Sequence, residues 1–360
     1  MELHARRTYA KHMIWANRPI QAYHQSGGFY PTNDWEKLKE GPEGPGNYDY
    51  QSFSGIYCYR PTRTLSMVDR FDFLFADNFS RKSLPEIIEL QASQPEAHYL
   101  LVLGGSLAQG SSAKSADSCW HKLLEDKLRI QSGQNIHVIN AALGSFVSFQ
   151  ERLTLEALIG SLKISSIVIL NGFNDLVLPL LQGSRPGDPY QMGSRYQQVY
   201  DNSFSRFLRE RSHFLKYRYL KRIEEVFSKN AQEIADSVQP ARYLSDSIIG
   251  IYSENTVRMI EVAHSKNIPI RIFFQPIRDM EKERFGYEID HPLHSFHANA
   301  YRLLIQRCTM GKWGKSYTDI SELLDSKDQL SYFVDECHLN DFGQKALAKR
   351  ISKNILHFFK

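Results

Sequence analysis

The sequence predicts an α/β domain built on a doubly wound parallel sheet, and two observations carry that expectation. Short apolar runs recur at Tyr99–Leu103, Ile136–Asn140, Ser166–Leu170 and Ile268–Phe274, the pattern of strands buried on both faces. Stretches of helical spacing lie between them, and strands alternating with helices fold into parallel sheets.

The elements follow in chain order. Residues 1–97 are poorly periodic and rich in turn formers, with Gly27-Gly28, Pro31 and the run GPEGPGNYDY from Gly41 set among aromatic residues. They read as an irregular N-terminal extension packed on the main domain, with short strands around Ser54–Arg60. The main domain then runs from 98 to 360. Its first strand, Tyr99–Leu103, stops at Gly104-Gly105, where glycine allows a sharp turn, and so lifts Ser106 to the carboxyl edge of the sheet. Open α/β folds place their ligands at that edge.

Trp120, Leu123, Leu124 and Leu128 mark the next helix, with Asp117 as its candidate N-cap. Ile136–Asn140 is the second strand, and Leu155, Leu158, Ile159 and Leu162 form the apolar stripe of a second helix. Ser166–Leu170 is the third strand, running into Asn171-Gly172-Phe173-Asn174-Asp175. An insertion of about 179–244 separates it from the fourth strand, Ile268–Phe274, which Pro276 ends. Leu347, Ile351, Ile355 and Phe358 share one face of a closing helix that begins at Asn340.

Composition narrows the classes of function. Of the 360 residues, 42% are hydrophobic and 23% charged, ordinary values for a globular protein. A net charge of +4 is too small to imply a nucleic-acid partner. Cys58, Cys119, Cys308 and Cys337 show no paired spacing, so neither a disulfide framework nor a zinc site is expected. No signal-peptide core and no apolar run of membrane-spanning length occurs, and a cytoplasmic location is the expectation. The insertion holds the basic, aromatic run RFLRERSHFLKYRYLKR from Arg206. Its long side chains suit a solvated helix, and also a peripheral contact with an anionic surface.

Four loops end where chemistry would be needed: Ser106, Gly144-Ser145, Asn174, and Asp335 with His338. In a doubly wound sheet these loops share one edge. Asp335 and His338 lie one helical turn apart, so the carboxylate can hold one imidazole nitrogen while the other takes the Ser106 proton. That is the serine–histidine–acid arrangement of acyl transfer. The oxyanion formed on attack needs donors already in place. The candidates are the Ser106 N–H, a backbone N–H at Gly144 or Ser145, and the Asn174 side-chain amide.

Here the sequence resembles the SGNH (GDSL-type) hydrolase superfamily, from Tyr99 to the C-terminus. GGSLAQG resembles its first block, with Ser106 as nucleophile; VINAALGS the second; GFND the third, with Asn174; and DECHLN the last, with Asp335 and His338. The resemblance implies a three-layer α/β/α, flavodoxin-like fold and hydrolysis of esters without a cofactor or metal, commonly on lipids or decorated sugars. Gly105 stands where the family usually has Asp, and Ser145 falls on its oxyanion-hole glycine, directly after Gly144.

Other readings are weaker. Gly105 and Gly110 have the separation of a phosphate-binding loop, but Ser111 occupies the place of its lysine. Asp290, His291, His294 and His297 have spacings that could hold a metal, yet Pro292 suits a loop entering a helix. An O-acyltransferase to a sugar hydroxyl, or a lipid acyl hydrolase, would need the same core residues, and an inactive binding module would not need Ser106, Asn174, Asp335 and His338 together. Tyrosine and arginine in the insertion and the N-terminal extension favour a saccharide body carrying a small, acetyl-like acyl group.

Overall fold

A computed structural model describes residues 48–49, 60–61, 72–75, 81–110, 113, 117–142, 146–182, 238–278, 280, 292–323, 332–333 and 337–359. The elements that position the site are strands β1 (Asp72–Phe75) and β2 (Arg81–Ser83), helix α1 (Leu84–Ser93), β3 (His98–Gly104), the four-residue helix α2 (Ser106–Gln109) and α3 (Trp120–Ser132). Then come β4 (Ile136–Asn140), α4 (Ser148–Leu158), β5 (Ser166–Asn171), α5 (Phe173–Gln182) and α6 (Val238–Ser265). β6 (Ile270–Phe274), α7 (Pro292–Thr309), β7 (Tyr317–Asp319) and α8 (Asp341–Ile355) follow.

Seven strands form one sheet in the order β2-β1-β4-β3-β5-β6-β7. The five from β4 to β7 are parallel, and β1 joins antiparallel to β4 and to β2. β3 lies between β4 and β5, so the chain first winds one way along the sheet and then the other. The carboxyl end of β3 is therefore the switch point, where doubly wound sheets open a crevice.

Alternation along the strands divides the core in two, because successive strand side chains face opposite sides. Tyr99, Leu101, Leu103, Ile167, Ile169, Ile272 and Phe274 pack with α1, α4, α6 and α7 on one face. Leu100, Val102, Val138, Val168, Leu170 and Phe273 pack with α2, α3 and α8 on the other. The result is the three-layer α/β/α sandwich.

The four expected strands are present with ends moved by a residue or two. β6 starts at Ile270 and not Ile268, since Pro269 between them has no N–H to give to a ladder. β7 went unread because three residues are too few to display a period. Asp117 is not the N-cap of α3: Cys119 holds that position without a side-chain bond. The Trp120 N–H is satisfied instead by Gln344 Oε1 of α8, at 3.1 Å. The second helix begins earlier than its leucine stripe suggested, at Ser148, and Leu162 lies in the turn beyond it.

The expectation of irregular structure throughout 1–97 fails for 72–93. There β1 and β2 extend the sheet and α1 buries Ile87 against it. The expected strand at Ser54–Arg60 lies outside the described residues except for Arg60, which with Pro61 pairs antiparallel with Tyr48–Asp49. The insertion is shorter than expected, because Pro179–Gln182 belong to α5 and Val238–Leu244 to α6. Its basic run from Arg206 lies outside the described residues. α7 begins at Pro292, as the loop-into-helix reading required, and Asp290 and His291 are outside the described residues. Among the described residues, Cys119, Cys308 and Cys337 are buried, and no helix is long and apolar enough to cross a membrane.

Candidate active site

Ser106 is the first residue of α2, directly beyond the end of β3. Gly104 makes the turn at a φ of 144°, and a Cβ there would overlap the Leu170 carbonyl and Ala108. Both its conformation and its crowding therefore require glycine. Gly105 differs: its φ of −86° suits any residue. A Cβ at Gly105 would instead meet the Asn174 amide, whose Nδ2 occupies the space the Cβ would take and would have to shift.

The short helix is held from three sides. Trp120 donates its indole N–H to the Leu107 and Ala108 carbonyls at 3.1 Å each. Asn140, at the end of β4, donates from Nδ2 to the Ala108 carbonyl at 3.0 Å, while its Oδ1 takes the Ala142 N–H. Gly110 closes the helix in the left-handed region, φ 86°, beneath Cys119. Cys119 Sγ and His121 Nε2 lie 2.9 Å apart, both fully enclosed. Burial raises the thiol pKa and lowers that of His121 to about 4, so the pair is neutral and supports the turn.

His338 Nε2 lies 2.7 Å from Ser106 Oγ, the distance of a hydrogen bond in which the hydroxyl donates to an imidazole with its proton on Nδ1. Cys337 Sγ is 3.6 Å from His338 Nδ1. The loop is anchored on both sides of His338. Leu339 is buried and bridges antiparallel to Phe333, the Asn340 N–H reaches the Tyr332 carbonyl at 2.9 Å, and Asn340 Oδ1 caps α8 by accepting the Phe342 and Gly343 N–H groups at 3.1 Å. Asn is among the preferred capping residues, and this cap fixes the backbone two residues after His338.

Asn174 sits in the first turn of α5. Its Nδ2 donates to the Phe146 carbonyl at 2.9 Å and lies against Gly105, the residue before Ser106; the amide has a second N–H to give. The Ser106 N–H, at the start of α2, has no intrahelical acceptor. Ser106, His338 and Asn174 are thus brought together at the carboxyl edge of the sheet. Asp335, Gly144 and Ser145 lie outside the described residues.

Sequence reasoning missed a buried polar cluster behind Asn174. Asp175 accepts the Ser148 N–H on both carboxylate oxygens, at 3.1 and 3.0 Å, and also the Ser148 hydroxyl. Asn255 of α6 donates to Ser148 Oγ at 3.2 Å. Glu151, one turn further along α4, accepts the Asn171 amide, and Tyr252 donates to Asn171 Oδ1 at 2.7 Å. Burial raises the Asp175 pKa to about 6 against the opposing bonds from Ser148. Burial and the charge of Asp175 push Glu151 well above the usual carboxylate range. Of the two carboxyls, Glu151 is therefore the one that holds its proton more tightly. The signal for Glu151 was available, since it lies four residues before Leu155 on the stripe that also holds Leu158.

No family model matches the chain, and no curated protein matches it. Solved structures similar to it include a member of the lipolytic G-D-S-L family from Veillonella parvula, 14% identical over 71% of this chain and 97% of that one, with a TM-score of 0.40. An acetyl xylan esterase is 14% identical over 71% of this chain and 99% of its own, with a TM-score of 0.41. A lipase from a goat rumen metagenome is 11% identical over 71% and 97%, with a TM-score of 0.43. The chain resembles the SGNH (GDSL-type) hydrolases in its four sequence motifs.

Proposed function

We propose that the chain is a serine esterase of the SGNH type that removes a small, acetyl-like acyl group from a carbohydrate. The observation that supports the reaction is the 2.7 Å approach of His338 Nε2 to Ser106 Oγ at the switch point of the sheet, with the Asn174 amide alongside. Ser106 Oγ attacks the ester carbonyl carbon as its proton passes to His338 Nε2, and the carbonyl oxygen becomes an oxyanion. The Asn174 N–H, the Ser106 N–H and a backbone N–H at Gly144 or Ser145 receive that charge. Each such donor supplies ~10²–10³ in turnover.

Collapse of the tetrahedral species breaks the bond to the alkoxy oxygen, which leaves as the alcohol with the proton from His338. Water then attacks the acyl-serine, gives its proton to His338, and releases the carboxylic acid while Ser106 regains its proton. Asp335 orients the imidazole throughout. The small acyl group and sugar body are inferred from composition: the insertion and the N-terminal extension mix Tyr, Arg and Lys with scattered Phe and Leu, and offer no long apolar lid.

A chain-length series of p-nitrophenyl esters, followed by acetylated saccharides, tests the reading. The expected result is the highest kcat/KM for C2–C4 esters and release of acetate from the saccharides. An optimum at C8 or longer would overturn the substrate, and would turn the basic run from Arg206 into a lipid-surface contact. Acyl product on an added acceptor sugar, in place of free acid, would make the chain an acyltransferase.

A further inference from the structure

The buried cluster behind Asn174 has a geometry that packing alone does not require. α4 and α5 are joined at their first turns by two consecutive residues of α5. Asn174 donates to the Phe146 carbonyl, two residues before α4 begins, and Asp175 takes the N–H and hydroxyl of Ser148, its first residue. A carboxylate at a helix N-terminus also meets the positive end of the helix dipole. We propose, building on the esterase reading, that Asp175 is a positioning residue: it clamps the first turn of α5 to the start of α4 and so holds the Asn174 amide against Gly105 and Ser106.

Three features of the cluster suit a clamp. It is closed off from solvent, as Asp175, Ser148, Glu151, Asn171 and Asn255 are all buried. It is braced from a third helix, by Asn255 and Tyr252 of α6. Its hydrogen bonds run between elements: Asp175 to Ser148 links α5 with α4, and Glu151 to Asn171 links α4 with β5. Among the described residues, the titratable groups that face it are Glu151 of α4, Tyr252 of α6 and Tyr301 of α7, with Cys308, Tyr317, Asp319 and Cys337 beyond the two tyrosines. Among the described residues Asp175 is hydrogen-bonded to Ser148 and not to Ser106 or His338, and the route proposed for its effect on the reaction runs through Asn174.

That route is what the experiment isolates. The variants are Asp175→Asn, which keeps the shape and removes the charge, Asn174→Ala, and the two combined, with p-nitrophenyl acetate as substrate. Asp175→Asn is expected to lower kcat by ~10-fold or more, part of the ~10²–10³ an oxyanion donor supplies, with KM within about threefold. In the Asn174→Ala background the same change is expected to cost less than about threefold, because the group being positioned is gone. A full, additive loss in that background would make Asp175 a general stabiliser and overturn the proposal, as would an unchanged kcat in the single variant.

Ser148→Ala is the second variant in case Asp175→Asn does not fold. It leaves the backbone bond to Asp175 and is expected to give a smaller loss of the same kind. The Asn174 side-chain amide resonances in a ¹H–¹⁵N spectrum provide a readout without turnover. They are expected to move in Asp175→Asn and in Ser148→Ala, and unmoved resonances in both would overturn the clamp. An inactive wild type with moving resonances would overturn the esterase reading alone.

Discussion

Glu151→Gln tests the charge state of the buried cluster directly. Glu151 is fully enclosed; among the described residues its Oε1 has no hydrogen-bond partner, and the Asn171 amide serves its Oε2. Burial and the neighbouring Asp175 raise its pKa well above 4.5 in the native state, whereas in the unfolded chain it titrates near the ordinary value of about 4.3. The sign follows from proton binding. Below about pH 4.3 both states hold the proton and no penalty exists. Above it the unfolded chain releases the proton and the native state does not, so native stability falls as pH rises, until the raised native pKa is passed.

The slope is about 1.4 kcal/mol per pH unit for one proton. Asp175 pulls in the same direction between its ordinary 3.8 and its native value of about 6, a total of about 3 kcal/mol at 1.36 kcal/mol per unit. Glutamine reproduces the protonated glutamic acid without a proton to lose, and it leaves the field at Asp175 unaltered. The Asp175 contribution therefore cancels in the difference between variant and wild type. Urea denaturation followed by tryptophan fluorescence at pH 5.0, 5.75 and 6.5 gives that difference directly. It is expected to shift in favour of Glu151→Gln by about 2 kcal/mol across the series, at the slope given above. A difference that stays constant with pH would refute the reasoning, since it would mean that Glu151 ionises alike in both states.

The reaction itself is checked at three positions. A fluorophosphonate probe is expected to label the wild type and to leave Ser106→Ala unlabelled. His338→Ala is expected to lower ester turnover by at least ~10² with an unchanged melting temperature; retained activity would move the base elsewhere. Gly105→Ala places a methyl group where the Asn174 amide sits, and is expected to lower kcat by ~10², close to the loss in Asn174→Ala. A Gly105→Ala variant with wild-type kcat would show that the amide can hold its place without that space.

The sequence displayed the central strands because each is an unbroken apolar run between turn formers, and it displayed Ser106, Asn174 and His338 because each follows such a run or precedes a helix. It hid what depends on contact between distant elements. Trp120 was visible as one of the residues that mark α3, but its indole bonds to α2 appear only once α3 has packed. Asp117 looked like the cap of α3, yet a glutamine 224 residues along the chain from Trp120 fills that need. β1 and β2 escaped notice because they add antiparallel strands to a sheet whose period had not yet begun. The Gly104-Gly105 pair was read as one turn signal, although only Gly104 needs the backbone freedom; Gly105 is defined by a side chain 69 residues away, since it abuts Asn174.

That last contact explains why the site lies where it does. The nucleophile and the base are mounted on one layer of the sandwich: Leu107, Ala108, Trp120, Phe333 and Leu339 belong to a single core cluster, together with α8. The Asn174 donor is mounted on the opposite layer, where Leu176, Leu155 and Tyr252 belong to the other cluster. Neither layer alone can place a serine oxygen and an oxyanion donor side by side, because the sheet stands between them. They meet only past its carboxyl edge, at the switch point, and the missing side chain of Gly105 lets the Asn174 amide close the remaining gap. The clamp by Asp175 acts on the donor half, and the bonds from Trp120 and Asn140 act on the nucleophile half. Losses at Asp175 and at Asn140 should therefore arise through different partners, Asn174 for the first and Ser106 for the second.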